Sequence, residues 1–344
     1  MIIANNLFSA MSDMQALDRV QPGPDDHTQL TWQPDHRSTP LWRCATNEGG
    51  LDPRIMQYID AADLIRLFKV PDMEVDHALI TALVEWWRPE THTFHLPHGE
   101  MGITLQDMEV MLGITVDELL VIGRKDMQWN VVCQELLGHE PSPVISNSNK
   151  STLIGARIKY KWLDAQFATP LAADAGDELG SAALAWLYRQ LCSASKKDAM
   201  QIGGALLLVQ LWAYLRFPRI CLIARLPLSP VHSGPLAIRW SGPKCTAEHA
   251  THVLAAYQTS LATLRAEQIV WEPYTHTLGS LPASCTAGQH IWRAEVPLIY
   301  FWIVEGHHPK RVFRQFGMKQ LVPLVVDTST ALHKRSLQGK WEKD

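Results

Sequence analysis

Trp86-Trp87-Arg88-Pro89-Glu90-Thr91-His92-Thr93-Phe94-His95-Leu96-Pro97-His98-Gly99-Glu100-Met101, continued by Gly102-Ile103-Thr104 and by Leu105 to Gly113, is the most informative run in the chain. Thr91 to Leu96 alternates: Phe94 and Leu96 share one face of a strand, and Thr93 and His95 share the other. Pro97-His98-Gly99-Glu100 is a turn signal, so Met101-Gly102-Ile103 reads as the returning strand of a short hairpin. Thr104 then stands at an N-cap with Asp107 three residues on, which is capping-box spacing. Leu105, Met108, Met111 and Leu112 form the apolar stripe of the helix that follows, and Gly113 fits its C′ position.

Helical periodicity flanks this element on both sides. Ile55 to Phe68 carries a stripe that stops before Pro71, and Val75 to Trp87 carries another that stops at Arg88-Pro89. Downstream, helices are expected over 129–137, 182–191, 199–217, 247–268 and 309–316, the last with Val312, Phe313 and Phe316 inward. Gly203-Gly204 falls inside the third of these and reads as a close helix contact. Pro297 to Val304 is apolar and β-branched, and periodicity alone leaves strand and buried helix both open there. The expected fold is mainly α: a compact helical domain over 51–325 with one small β-hairpin. An irregular, Pro/Gly-broken N-terminal arm over 1–50 and a basic tail over 326–344 complete the chain.

Composition narrows the function classes. Of 344 residues, 47% are hydrophobic and 19% charged, which favours a large core over disorder. Thirteen Trp bring wide apolar area and an N–H that needs an acceptor. The net charge of −4 argues against a chain that binds nucleic acid over its whole surface. From Glu305 to the end, however, eight Lys or Arg face four Asp or Glu. Lys310, Arg311, Arg314 and Lys319, with Lys334 and Arg335, are the candidate phosphate contacts. Six dispersed Cys show no CxxC spacing, which points to reduced, buried thiols rather than a zinc ribbon. No apolar run reaches the roughly twenty residues a bilayer needs, and the first residues do not resemble a signal peptide.

The candidate polar cluster is Arg88, Glu90, His92, His95, Glu100 and Asp107. A guanidinium is a five-donor fork suited to carboxylates, so one reading has Arg88 pairing with Glu90, Glu100 or Asp107 and pinning the hairpin to its helices. A second has the carboxylates doing acid–base work in a pocket that gathers Glu90, Glu100 and His95. A third makes the hairpin a partner-binding edge. His92, His95 and His98 are spaced three apart, but alternation along a strand sends the first two to opposite faces, which disfavours a metal. No phosphate-binding loop or nucleophile elbow is present, and no catalytic residue, metal or cofactor is assigned.

The run from Trp87 through Gly113 resembles the signature of the plant mobile domain family, that of the MAINTENANCE OF MERISTEMS and MAIN-like proteins. Trp186 to Cys192, Gly203-Gly204, Leu207 to Trp212, Arg239-Trp240, Trp271-Glu272-Pro273-Tyr274, Val296 to Ile299 and Arg311 to Gly317 match it in order. His98 stands where the family usually has Cys, and Gly306 where it has Trp. Asp177 to Ser181 follows Phe167 early, as though a helical stretch were missing and a core face left uncovered. The resemblance implies a non-enzymatic nuclear scaffold linked to transposon silencing, genome stability and meristem maintenance. It also implies a protein partner resembling a plant serine/threonine phosphatase of the type-7 class. The alternative is a transposable-element-derived accessory protein that touches nucleic acid through its basic C-terminal end. The family label "aminotransferase-like" finds no cofactor lysine here.

Overall fold

The computed structural model describes residues 66, 70, 75–116, 128, 130–131, 133–134, 140–141, 180–196, 199, 202–221, 234–240, 253–300 and 303–322, with the backbone of 153–154 and 157–158. The N-terminal arm, the helix expected near 55–68, most of 129–137, the stretch from Phe167 to Leu179 and the tail from 326 onward lie outside the described residues, as do Lys334 and Arg335.

Helix α1 (His77–Val84) starts where Asp76 caps it, Oδ1 accepting the Leu79 N–H at 3.0 Å. The other Asp76 oxygen accepts the Tyr257 hydroxyl at 2.8 Å, and the Asp76 N–H donates to Gln210 Oε1 at 2.7 Å, so one cap ties three helices together. The helix was expected to run to Trp87 but ends at Val84. Trp87 and Arg88 instead form a two-residue strand, β1, opposite Phe94 and Thr93. Burial decides this: Trp87 is 1% exposed, its ring meets Phe94 edge-on at 5.0 Å, and its indole N–H reaches Cys192 Sγ at 3.3 Å.

Strands β2 (Thr93–Leu96) and β3 (Gly99–Met101) form a hairpin where one was expected, but Gly99 and Glu100, read as turn, pair in β3, and Gly102 and Ile103, read as strand, do not; the register is Phe94↔Met101, His95↔Glu100, Leu96↔Gly99. The sheet order β1-β2-β3 thus adds a strand to the hairpin. Phe94 and Leu96 enter the core, as alternation requires. Helix α2 (Leu105–Leu112) follows the capping box: Asp107 Oδ2 accepts the Thr104 N–H at 2.7 Å and its hydroxyl at 2.9 Å. Gly113 closes it in the left-handed region at φ 68°. All eight residues of α2 are buried, including Gln106, Asp107 and Glu109, so the helix has no solvent face and its acids must find partners inside.

Strands β4 (Leu153–Ile154) and β5 (Arg157–Ile158) pair antiparallel. Helix α3 (Gly180–Ala194) packs on α2 and β1, and helix α4 (Leu206–Arg216) on α1 and α2. A Cβ on Gly180 would lie 1.9 Å from the Thr115 carbonyl oxygen, so α3 can start there only with glycine. The helix expected from 199 begins later, because Gly204 turns through φ 94° beside the Leu187 backbone. The Gly pair is a close approach to α3, as read, but outside a helix. Helix α5 (Val253–Ala262) lies against α1 and ends before the expected 268, while 247–252 lie outside the described residues.

The ambiguous run near 297 is strand. β6 (Val296–Tyr300) and β7 (Ile303–His307) form a second hairpin, laid on α3. The single hairpin of the sequence reading therefore becomes a three-stranded sheet and two strand pairs, while helix remains the commoner element among the described residues. Pro309–Phe316 is a kinked 3-10 segment rather than a regular helix, with Val312 and Gln315 buried and Phe313 and Phe316 only half-buried. Among the described residues, no helix is long and apolar enough to cross a membrane. Cys133, Cys192, Cys221 and Cys285 are buried, and burial pushes the Cys192 thiol up to about 12.

Candidate functional site

The signature run contributes buried acids, and guanidinium groups from distant elements meet them. Asp107 and Arg216 are both fully buried, with Arg216 Nη2 at 2.9 Å from Asp107 Oδ1. Tyr274 donates its hydroxyl to the same oxygen at 2.5 Å. The Arg216 guanidinium carbon lies 5.1 Å from the Trp212 ring centre and 5.5 Å from that of Tyr274. Burial pulls the Arg216 pKa down, yet the charge of Asp107 outweighs it and the net shift is upward. Burial and the same carboxylate push Tyr274 well up.

Glu100 on β3 is held bidentately by Arg311, with Nε–Oε2 at 2.6 Å and Nη2–Oε1 at 2.5 Å. Thr93 donates to Glu100 Oε2 at 3.0 Å, and His95 Nε2 stands 3.7 Å from the same oxygen and 3.0 Å from the Thr91 hydroxyl. Burial lowers the His95 pKa, and Glu100 opposes that shift. The third acid, Glu305 on β7, is 2% exposed and receives Arg189 from α3 together with His92 Nε2 at 3.0 Å. His92 also reaches the Gly306 carbonyl oxygen through Nδ1 at 2.8 Å, from a backbone with φ 52°.

Of the three acids read as partners of Arg88, namely Glu90, Glu100 and Asp107, the last two are held by other guanidinium groups. The order β1-β2-β3 puts Arg88 on the opposite edge of the sheet from Glu100, which Arg311 holds, while Asp107 is held by Arg216. Glu90 is exposed in the turn after β1. The three histidines diverge: His92 goes to Glu305, His95 to Thr91, and His98 donates Nε2–H to the Leu264 carbonyl at 2.7 Å. Among the described residues, no three His, Cys, Asp or Glu side chains gather as metal ligands.

Of the candidate phosphate contacts, Arg311 is 13% exposed and spent on Glu100. Lys310 pairs with Glu295 on the surface. Arg314 covers the Trp271 ring at 5.1 Å and donates to the His98 carbonyl at 3.0 Å. Lys319 is exposed. The structure thus brings Glu100 and Arg311 together from two separate candidate groups.

Arg189, Arg216, Tyr274, Glu305 and Gln315 were not singled out in the sequence. Gln315 reads Gly102 twice, accepting its N–H at 2.7 Å and donating to its carbonyl at 2.8 Å, and the Trp212 indole donates to that carbonyl at 3.0 Å. All but Glu305 and Arg216 lie inside segments whose order matched the family signature, which is the only signal that could have flagged them. A surface cleft of about 200 Å³ opens beside this network, with Tyr274, Trp292 and Gln106 among its walls. Glu90, His95 and Glu100 do not line it.

The matches to known proteins follow the same segments. The model of the plant mobile domain matches residues 63–176 and 165–344. The chain belongs to the plant mobile domain family. Protein MAIN-LIKE 1 of Arabidopsis thaliana is 31% identical over 89% of the chain and 69% of its own length. Protein MAINTENANCE OF MERISTEMS, from the same plant, is 32% identical over 74% of the chain and 60% of its length. The Arabidopsis "Serine/threonine-protein phosphatase 7 long form homolog" is 35% identical over 94% of the chain, which spans only 29% of that relative. No solved structure matches.

A Cβ at Gly306 would lie 2.4 Å from His308 Nε2, so the His308 ring fills the space beside Gly306. From there it stacks on His92 at 6.3 Å and 7°.

Proposed function

We propose that this plant mobile domain is a non-enzymatic protein-interaction scaffold acting in the nucleus, in transposon silencing and meristem maintenance, with a phosphatase-like partner. The observation that carries the reading is how three acids, two from the signature run and one from β7, are used. Asp107, Glu100 and Glu305 are each neutralised by a guanidinium from a separate element, and each pair locks one part of the fold to another. Acids committed in this way stabilise a shape, and a rigid shape is what a docking module offers. Support for the partner comes from the phosphatase 7 long form homolog, in which a stretch similar to nearly this whole chain is joined to a much longer polypeptide. A domain that shares a chain with its partner in one protein is a reasonable candidate to meet it across chains in another.

The test is affinity purification of the tagged chain from plant nuclei, followed by mass spectrometry. Recovery of a phosphatase-like protein, lost on surface substitution but not on mock treatment, is the expected result. Reproducible absence of any such partner, with the chain present and folded, refutes the scaffold reading. Titration with duplex DNA at low salt runs beside it. Binding that weakens steeply with salt and is lost on Lys310→Ala/Lys319→Ala would favour the nucleic-acid alternative.

A further inference from the structure

The cleft beside the Asp107 network has walls of aromatic rings, and the donors on its inner walls are already spent. The Tyr274 hydroxyl already donates to Asp107, and the Trp292 indole N–H donates to Glu109 at 2.6 Å. Both ends of the Gln315 amide are committed to Gly102. The Thr275 hydroxyl donates to the Glu272 backbone carbonyl at 3.3 Å. On the acceptor side, Gln106 is 6% exposed and its buried Oε1 has no partner. The Glu272 carboxylate lies at the mouth over Gly317, where a Cβ would come within 2.4 Å of it. An orphaned buried acceptor calls for a donor, and its amide torsion is soft enough to turn towards one. Rings of Trp, Tyr and Phe beside a carboxylate favour a donor that is also a cation. Arg293, the one cation among the lining side chains, has sent Nη1 to Met318 Sδ.

We propose that this cleft binds a guanidinium or ammonium group on an aliphatic stem, with Glu272 countering its charge, Gln106 accepting a hydrogen bond and Trp292, Tyr274 and Phe316 enclosing the stem. The same chemistry is offered by an arginine or lysine side chain of a protein partner and by a free polyamine-like molecule. The proposal deepens the scaffold reading by naming the chemistry of one contact. Its test uses the purified chain alone, so it can fail while the nuclear purification succeeds, and the reverse.

The full chain is titrated by calorimetry with acetyl-Gly-Arg-Gly-amide, with the same peptide carrying citrulline, and with agmatine. Saturable binding of an arginine-type probe, at least about tenfold weaker for the neutral citrulline peptide, is expected. Glu272→Gln should weaken it about threefold to fivefold at low salt, and Arg293→Gln should tighten it, because both charges sit at an exposed rim. Peptide binding without agmatine binding assigns the site to a partner's side chain; agmatine binding alone assigns it to a small molecule. Equal binding of the citrulline peptide overturns the proposal, as does an unchanged affinity in Glu272→Gln. So does failure of both cationic probes to bind by about 10 mM.

Discussion

Arg216→Met isolates the innermost ion pair. Methionine keeps an unbranched apolar stem of similar length, so the loss falls on the guanidinium and its contacts to Asp107, Tyr274 and the Trp212 ring. Asp107 is then left fully buried with the Tyr274 hydroxyl and the Thr104 N–H and hydroxyl, but with no countercharge from Arg216. Removing one partner of a buried pair costs about 3–5 kcal/mol, most of it the stranded charge. In a domain of this size that is a fall in Tm of roughly 6–20 °C. Adding Asp107→Asn should recover part of the loss, because the orphaned charge disappears while the amide oxygen can still accept from Thr104 and the amide N–H can donate to the Tyr274 hydroxyl oxygen. Urea unfolding of the two single variants and the double variant, followed by tryptophan fluorescence, gives the coupling energy directly. A loss below about 1 kcal/mol for Arg216→Met, or strict additivity in the double variant, would refute the claim that this pair is a buried lock.

Further outcomes follow from other contacts. Burial holds His307 neutral, with a pKa lowered to about 4, while the unfolded ring keeps its ordinary value of about 6.5. Its contribution is complete above the unfolded value and is lost as pH falls from about 6.5 towards 4, by up to roughly 3 kcal/mol. His307→Gln should flatten this limb in urea melts taken from pH 7 to 4.5. Gly180→Ala forces a Cβ to within 1.9 Å of the Thr115 oxygen, and α3 must shift; a loss of about 1–3 kcal/mol in thermal melts is expected. Arg311→Gln breaks a partly exposed bidentate pair, so its cost should be near 1 kcal/mol and should shrink in high salt. Gln315→Leu leaves the Gly102 N–H without its acceptor in a buried site and should cost about 1–3 kcal/mol, read as a lower urea midpoint.

What could be read in advance was local. Thr104, Asp107 and Gly113 fix the start and end of α2 within ten residues, because a cap and a C′ glycine act on their own helix. The β2–β3 hairpin was legible for the same reason: alternation and a turn suffice. β1 was hidden because Trp87 extends the periodicity of α1, and only burial against Phe94 and Tyr188 moves it into a sheet. β6 and β7 were ambiguous because a short apolar run has no period of its own. Glu100 and Asp107 were named from the sequence, but Glu305 was not, and none of the three pairings was. Arg311 lies 211 residues from Glu100, and Tyr274 lies 167 from Asp107, and no spacing rule reaches that far.

The double grip of Gln315 on Gly102 spans 213 residues. During synthesis the hairpin leaves the ribosome long before the segment that clamps it. At roughly 5–20 residues per second, the polar groups of Gly102 and Glu100 wait on the order of ten seconds or more for Arg311 and Gln315. Until then the nascent first half is an incompletely packed intermediate of the kind prone to association. A chain cut short before Gln315 would leave Gly102 without its amide clamp, and such products should be cleared rather than accumulate.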